Sequence, residues 1–260
     1  MYKHWVNYSA ATLVLISIGA SQTALAAKGG SYQSNGSVEF IPSSTITPPV
    51  DPENPDPEIT PPVTPTPPPG ITDPPGPGTS GPLSIDYASS FSFGQNKITN
   101  KNEIYYAEAQ GFTGGLEGQY RGNYAQITDN RGTVGGWTLS LKQEGQFTST
   151  SAKNYKTLTG AQIEIKDSTA VSSSEGVEIP KVTNAKLNPD GNSSIIMSAE
   201  AGAGAGTWVD RFGKAEEVEI DGKKVQKNKA ITLSIPGKTP KEATQYKTKL
   251  TWTLTDTPGK

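Results

Sequence analysis

The sequence predicts an all-β domain, either a β-sandwich or a barrel, preceded by a signal peptide and a disordered proline-rich stalk. Apolar and polar residues alternate with a period of two along most of residues 83–260, which is the pattern of half-buried strands. No window shows the 3.6-residue apolar stripe of an amphipathic helix. Sixteen of the 21 prolines lie between positions 42 and 82, and proline lacks the N–H donor that helices and paired strands need. We therefore expect the folded domain to begin at residue 83.

Residues 1–26 have the composition of a secretory signal peptide. A lysine and a histidine precede an apolar run of 11 residues at 10–20, and small residues at the −3 and −1 positions predict cleavage before Ala27. An apolar run of this length is too short to span a bilayer, and no run of membrane length follows it. We expect a secreted, extracellular protein with no membrane span after cleavage.

Residues 27–82 are expected to form a linker, first rich in glycine and serine and then acidic and proline-rich. Its second half favours extended polyproline II and predicts a semi-rigid stalk; a ligand for proline-binding modules is the alternative. The linker has a net charge of −5 from one lysine and six carboxylates, whereas 83–260 carries +2 from 21 basic and 19 acidic residues. Neither part has the basic field that nucleic-acid binding requires, so we expect no nucleic-acid partner.

The domain of residues 83–260 reads as short strands throughout. The clearest alternating segments are 137–142, 161–166, 231–235 and 250–255. Further strands are expected at 83–87, 104–107, 124–128, 194–198 and 207–211. Asp221-Gly222 lies between two short segments and is typical of a type I′ hairpin turn. Many short strands joined by Gly-rich turns are typical of sandwiches and barrels.

The scarce residues exclude most catalytic and metal sites. The chain has no cysteine, and its single histidine, His4, lies in the segment predicted to be removed. A mature chain without Cys or His has no disulfide, no Cys–His or Ser–His–Asp centre and no His- or Cys-ligated metal, so we expect no enzyme activity, no cofactor and no metal.

Two acidic arrangements leave alternatives open. Asp129 and Glu144 flank one predicted strand, and a glycosidase needs only two carboxylates; the acids of 216–221 could bind Ca²⁺, although a solvated face is favoured because the spacing is not that of an EF-hand.

Two near-identical strands contain two of the four tryptophans. The segments WTLS (137–140) and WTLT (252–255) lie 115 residues apart, and in each the Trp and Leu share one face because they are two residues apart. One interpretation is that the indoles close the core; the other is a shared aromatic platform, because an indole face stacks on the C–H face of a sugar. The candidate binding residues are the Trp and Leu of both strands and a third tryptophan: Trp137, Leu139, Trp252, Leu254 and Trp208.

The two W-x-L strands in this context resemble the WxL cell-wall-binding domain of Gram-positive surface proteins. The resemblance rests on seven segments: SNGSVEFIP (34–42), GPLSIDYASSFSFG (81–94), ITDNRGTVGGWTLSLKQ (127–143), LTGAQIEIK (158–166), GAGTW (204–208), ITLSIPG (231–237) and YKTKLTWTLTDTP (246–258). A lone W-x-L tripeptide carries no specificity, whereas two of them with these neighbours do.

The resemblance implies a non-catalytic protein held non-covalently on peptidoglycan at the cell-wall surface, with both motifs needed. It also implies complexes with other WxL proteins and their membrane-anchored partners, and some family members contact host matrix proteins. By this resemblance the wall-binding positions are Trp137, Leu139, Trp252 and Leu254. The alternative is a protein-interaction module of a surface complex, or an adhesin, that binds host or partner proteins rather than glycan.

Overall fold

A computed structural model describes residues 29–58, 61–72 and 76–259. The predicted signal peptide lies outside the described residues. Within them the chain forms sixteen β-strands and no helix, so the all-β prediction is confirmed. Consequently none of the described segments is a helix of the length and apolarity that a membrane crossing requires. The strands are β1 (Val63–Pro65), β2 (Leu83–Ala88), β3 (Glu103–Glu108), β4 (Gln110–Gly114), β5 (Tyr120–Arg121), β6 (Asn123–Asp129), β7 (Trp137–Gln143), β8 (Gln162–Ile165), β9 (Ser168–Val171), β10 (Lys181–Val182), β11 (Ala185–Lys186), β12 (Ser193–Ala199), β13 (Gly206–Phe212), β14 (Glu216–Ile220), β15 (Lys223–Ile235) and β16 (Leu250–Thr255).

The chain divides into two compact units, Met1–Glu39 and Phe40–Lys260. In the first unit the described residues, 29–39, form no strand and are exposed. All sixteen strands lie in the second unit.

The strands pair into four antiparallel sheets that are arranged around an axis, as in a barrel. Their orders are β1-β4-β5, β10-β12-β7-β16, β11-β8-β15-β14 with β3 on β15, and β2-β6-β13-β9. Hairpins and longer crossovers are therefore both present. The strands β7 and β16, which contain the two W-x-L motifs, are neighbours in one sheet.

The alternating pattern of the sequence sets which side chains enter the core. On β7 the residues at every second position, from Trp137 through Leu139 to Leu141, have no exposed surface. The predicted hairpin turn is also present, because Asp221 and Gly222 have φ values of 50° and 75° and join β14 to β15. Both central residues of a type I′ turn need positive φ, which explains the Asp-Gly pair.

The prediction that the proline-rich stretch forms no paired strand is wrong for three residues. Strand β1 pairs with β4, with Val63 opposite Gly114 and Pro65 opposite Phe112. A proline is tolerated there because β1 is the edge strand of its sheet. The side chains of Val63 and Val50 are almost fully buried, in a second apolar cluster outside the main core.

Residues 48–58 and 61–70, which we call the strap, contact several elements of the domain, and within the strap Val50 and Val63 lie against the outer face of the sheet β2-β6-β13-β9. The Val50 N–H donates to Gln126 Oε1 at 2.9 Å, and Gln126 Nε2 donates to the Pro48 carbonyl at 3.0 Å. Arg121 binds both carboxylate oxygens of Asp51, at 3.1 and 3.2 Å. Three further side chains donate to strap carbonyls: Gln110 to Thr66, Ser92 to Pro69 and Gln245 to Gly70. The described strap is thus part of the folded unit.

Candidate functional site: the paired tryptophan strands

The two W-x-L strands form one hydrogen-bonded ribbon although they are far apart in sequence. In the register of β7 with β16, Trp252 lies opposite Leu141 and Leu254 opposite Leu139. Directly opposed residues of an antiparallel pair point to the same side of the sheet. The tryptophan and leucine of both motifs therefore share the inward face.

Trp137 lies in the middle of the main core. Its indole is fully buried, and Nε1 donates to the Gly204 carbonyl at 3.0 Å, so its polar atom is satisfied. Gly204 has φ +74°, and a Cβ atom at that position would lie 2.7 Å from Trp137 Nε1. Only glycine fits beneath this indole, which accounts for the first glycine of the GAGTW segment.

Trp252 and Leu254 pack against the same core from β16 but keep part of their surface exposed. The Trp252 ring stacks on Phe212, with centroids 6.3 Å apart and an interplanar angle of 14°. Their partial exposure follows from position, because β16 is the last strand of its sheet. Of the two motifs, the second is the one that reaches the surface.

Trp208, the third candidate, is buried on β13 with 3% of its surface exposed, and its Nε1 donates to the Ala205 carbonyl at 2.9 Å. Trp137, Leu139 and Trp208 therefore lie where the core interpretation puts them, and Trp252 and Leu254 lie at its rim. A wall-binding role for these five residues stays a prediction.

Residues 27–258 match a family model described as WxL domain surface cell wall-binding. The chain belongs to the WxL family. No curated protein and no solved structure matches it. The matched range includes the strap, so the WxL region of this chain begins well before the first strand predicted from alternation.

The loop that leads into the first WxL motif is held by an ion pair that the sequence reasoning did not single out. Arg131 binds both oxygens of the buried Asp129 carboxylate, at 2.9 and 2.8 Å, and also donates to the Gly136 carbonyl at 2.7 Å. The hydrogen bonds to Asp129 raise the pKa of Arg131 above its usual value. Because Gly136 directly precedes Trp137, this clamp fixes where the WxL strand begins. An acid two residues before an arginine, ahead of a Gly-Gly pair, is the sequence signal that could have revealed it.

The outward face of the two WxL strands is rich in hydroxyl groups. Across the ribbon Thr138 lies opposite Thr255, Ser140 opposite Thr253 and Lys142 opposite Thr251. On the other side of β7 the outward residues of β12 continue this face: Ser193, Ile195 and Ser198. Thr253 and Thr255 are exposed, while the β7 hydroxyls are half-buried. The middle residue of each W-x-L motif is thus a threonine that faces out.

A shallow groove of about 440 Å³ lies where this face ends, at the start of β16. Its lining residues are Glu144, Gly145, Gln146, Thr148, Lys247, Thr248 and Lys249. Glu144 pairs with Lys142 at 2.9 Å, and a hydrogen bond from Thr251 is the largest cause of its lowered pKa. Among the described residues neither Lys247 nor Lys249 has an ion-pair partner. The groove therefore has two ammonium groups without a close ion pair, of which Lys249 lies near enough to Glu144 to help lower the pKa of that carboxyl.

The acids that could have bound Ca²⁺ face lysines instead. Glu216 lies 2.8 Å from Lys229, and Glu217 lies 2.7 Å from Lys224. In the part of the chain that the structure describes, no group of three or more acidic or histidine side chains is placed to hold a metal ion. These carboxylates form the solvated, salt-bridged face that the sequence favoured.

Proposed function

We propose that this WxL protein is secreted from a Gram-positive cell and attaches non-covalently to peptidoglycan, without catalysing a reaction on it. The family model establishes a surface, cell-wall-binding protein. The observation that supports the finer proposal is the direct pairing of β7 with β16. Because the two motifs complete one ribbon, loss of either strand would dismantle the same surface, so we expect binding to need both motifs.

The electrostatics of the acids near the first motif favour binding over hydrolysis. The Asp129 carboxylate is buried and forms an ion pair with Arg131. Glu144 is exposed, paired with Lys142, and has a lowered pKa, whereas the general acid of a glycosidase needs a raised one. Neither carboxylate is therefore suited to protonate a leaving sugar.

The test is co-sedimentation of the mature chain, residues 27–260, with purified peptidoglycan sacculi. We expect the protein to pellet with sacculi, to be competed off by soluble muropeptides and to release no sugar. The strap is included because it is part of the fold. A protein that stays in the supernatant at all sacculus concentrations contradicts the proposal, and release of soluble sugar contradicts its non-catalytic part.

A second candidate function is docking to other surface proteins, such as WxL partners, their membrane-anchored partners or host matrix proteins. Two observations favour it. Strand β16 is the last strand of its sheet, and such an edge can accept a strand from another chain. The apolar side chains of Val38, Phe40 and Ile41 are 77%, 88% and 81% exposed. Pull-down of a partner without sedimentation on sacculi would favour this function over the first.

A further inference from the structure

The outward face of the paired WxL strands is the more available to a ligand, because the inward face is fully buried on β7 and only partly exposed on β16. Trp137 and Leu139 have no exposed surface, so neither can touch an external molecule while the fold is intact. The side chains that alternate with them point outward, and the ribbon carries six such positions, three on each strand. A ligand that depends on both motifs would therefore contact the outward residues that alternate with the tryptophan and leucine of each motif.

The hydroxyls on this face differ in their availability. Thr138 donates to the Thr257 carbonyl at 2.9 Å, and Ser140 lies 3.4 Å from the Thr253 carbonyl. Thr253 and Thr255 are exposed, and within the described residues their hydroxyls have no hydrogen-bond partner. The free hydroxyls thus lie on β16, along the edge of the sheet.

The charges beside this face complement an anion of low charge density. Lys249 and Lys247 line the groove next to Thr251, and Lys142 lies on the face itself, with Glu144 as the only carboxylate lining the groove. A dense phosphate polymer is better matched by arginine, because arginine binds phosphate oxygens in pairs. Two of the three arginines of this chain, Arg121 and Arg131, are paired with carboxylates elsewhere. Lysines spaced along a hydroxyl-lined surface fit isolated carboxylates carried on a sugar chain.

We infer that the outward face of β7 and β16, together with the Lys247–Lys249 groove, is the surface that contacts the wall, and that it binds the carboxylates of peptidoglycan stem peptides. This assignment rests on the proposed attachment to peptidoglycan. In it, Thr253 and Thr255 hydrogen-bond the polar groups of the polymer, and Lys247 and Lys249 bind its free carboxylates. The buried tryptophans position this surface and do not touch the ligand.

The test measures the dissociation constant of mature protein for sacculi by depletion from the supernatant. Thr253→Glu places a negative charge on the face, and Lys247→Glu with Lys249→Glu reverses the groove. We expect each of these two variants to bind at least about tenfold more weakly, because each removes or opposes charge-assisted contacts. The matched controls are Thr169→Glu on the exposed edge strand β9 and Lys223→Glu on β15, which we expect to bind within about twofold of wild type. All five substituted positions are exposed, so we expect wild-type melting temperatures for all four variants.

Chemically altered sacculi identify the ligand group. Amidating the carboxyl groups is expected to weaken wild-type binding to the level of the lysine variant, whereas removing wall teichoic acid is expected to leave binding unchanged. Binding that survives amidation, or that disappears with teichoic acid, overturns the carboxylate assignment. If wild type sediments and the Thr253 and lysine variants sediment equally well, the contact surface is wrong while the attachment to peptidoglycan stands. If wild type does not sediment at all, the proposed function itself fails.

Discussion

At the scale of single residues, the position of the first WxL tryptophan depends on the backbone packed beneath its indole as well as on the motif residues themselves. The indole of Trp137 is held by one carbonyl, that of Gly204, and the glycine itself leaves no space for a side chain. A segment 67 residues away thus sets the position of the first motif tryptophan. The backbone at Gly204 accepts the hydrogen bond of the motif indole and leaves space for it, although the W-x-L tripeptide alone does not predict this partner.

Replacing Gly204 by alanine is expected to lower the free energy of unfolding by about 2–5 kcal/mol, because the new Cβ would lie against the indole of Trp137 in a left-handed backbone conformation. Gly132→Ala is the matched control. Its φ is +71°, but a Cβ there meets nothing within 4 Å, so we expect a loss of only about 1–2 kcal/mol. Urea unfolding of both variants measures the difference. Equal losses would mean that the space beneath Trp137 is not limiting.

Asp210 is a second residue whose environment predicts a measurable effect. It lies between Trp208 and Phe212 on the inward face of β13, and burial raises the pKa of its carboxyl well above the usual value of 3.8, with the Ser168 hydroxyl opposing that shift. The folded protein therefore binds a proton here that the unfolded chain has already released. Stability is lost as the pH rises from 3.8 to the raised pKa of the folded state.

Asp210→Asn removes this titration. We expect the variant to have a higher melting temperature than wild type at pH 7 and a difference that shrinks toward pH 4. Thermal unfolding at both pH values measures it, with the exposed Asp256→Asn as the control. A difference between Asp210→Asn and wild type that does not vary with pH would show that the carboxyl is not buried in its neutral form.

At the scale of elements, period-two alternation located β7, β8 and β16 because these strands bury one face, and the Asp221-Gly222 pair located the β14–β15 hairpin. The proline content led to a wrong expectation at β1, since prolines argue against a paired strand unless that strand lies at an edge. Period-two alternation also left the roles of Trp137 and Trp252 undecided. Alternation shows that two residues share a face, but which face is buried depends on the layers above and below, and these come from distant segments.

The strap is the element that the sequence misjudged, and its docking can be tested directly. Val50→Asp puts a carboxylate into the apolar cluster beneath the strap and should release it. In wild type the backbone amide of Val50 donates to Gln126, and we expect it to be protected from hydrogen exchange. In the variant we expect the amide at the same position to be unprotected, while the β7 amides stay protected. Val38→Asp, at an exposed position, should change neither. A Val50 amide that exchanges freely in wild type would contradict the docked strap.

At the scale of the whole molecule, the inward faces of the sheets form the core and their outward faces differ in what covers them. The inward faces of β6, β7, β13 and β16 contribute to one core, in which Ile127, Leu139, Phe212 and Trp252 pack. Val50 and Val63 of the strap cover part of the outward face of β6 and β13, whereas on the outward face of β16 Thr253 and Thr255 are exposed within the described residues. The domain therefore covers one face with its own chain and exposes the outer edge of another.

This arrangement also separates charge. The strap carries four carboxylates, Asp51, Glu53, Asp56 and Glu58, and the guanidinium that contacts it is that of Arg121. Lys247 and Lys249 line the groove at the start of β16. If the protein attaches to peptidoglycan as proposed, an anionic polymer would repel the strap carboxylates and attract these two lysines, and this electrostatic steering would favour approach through β16 before any contact is made.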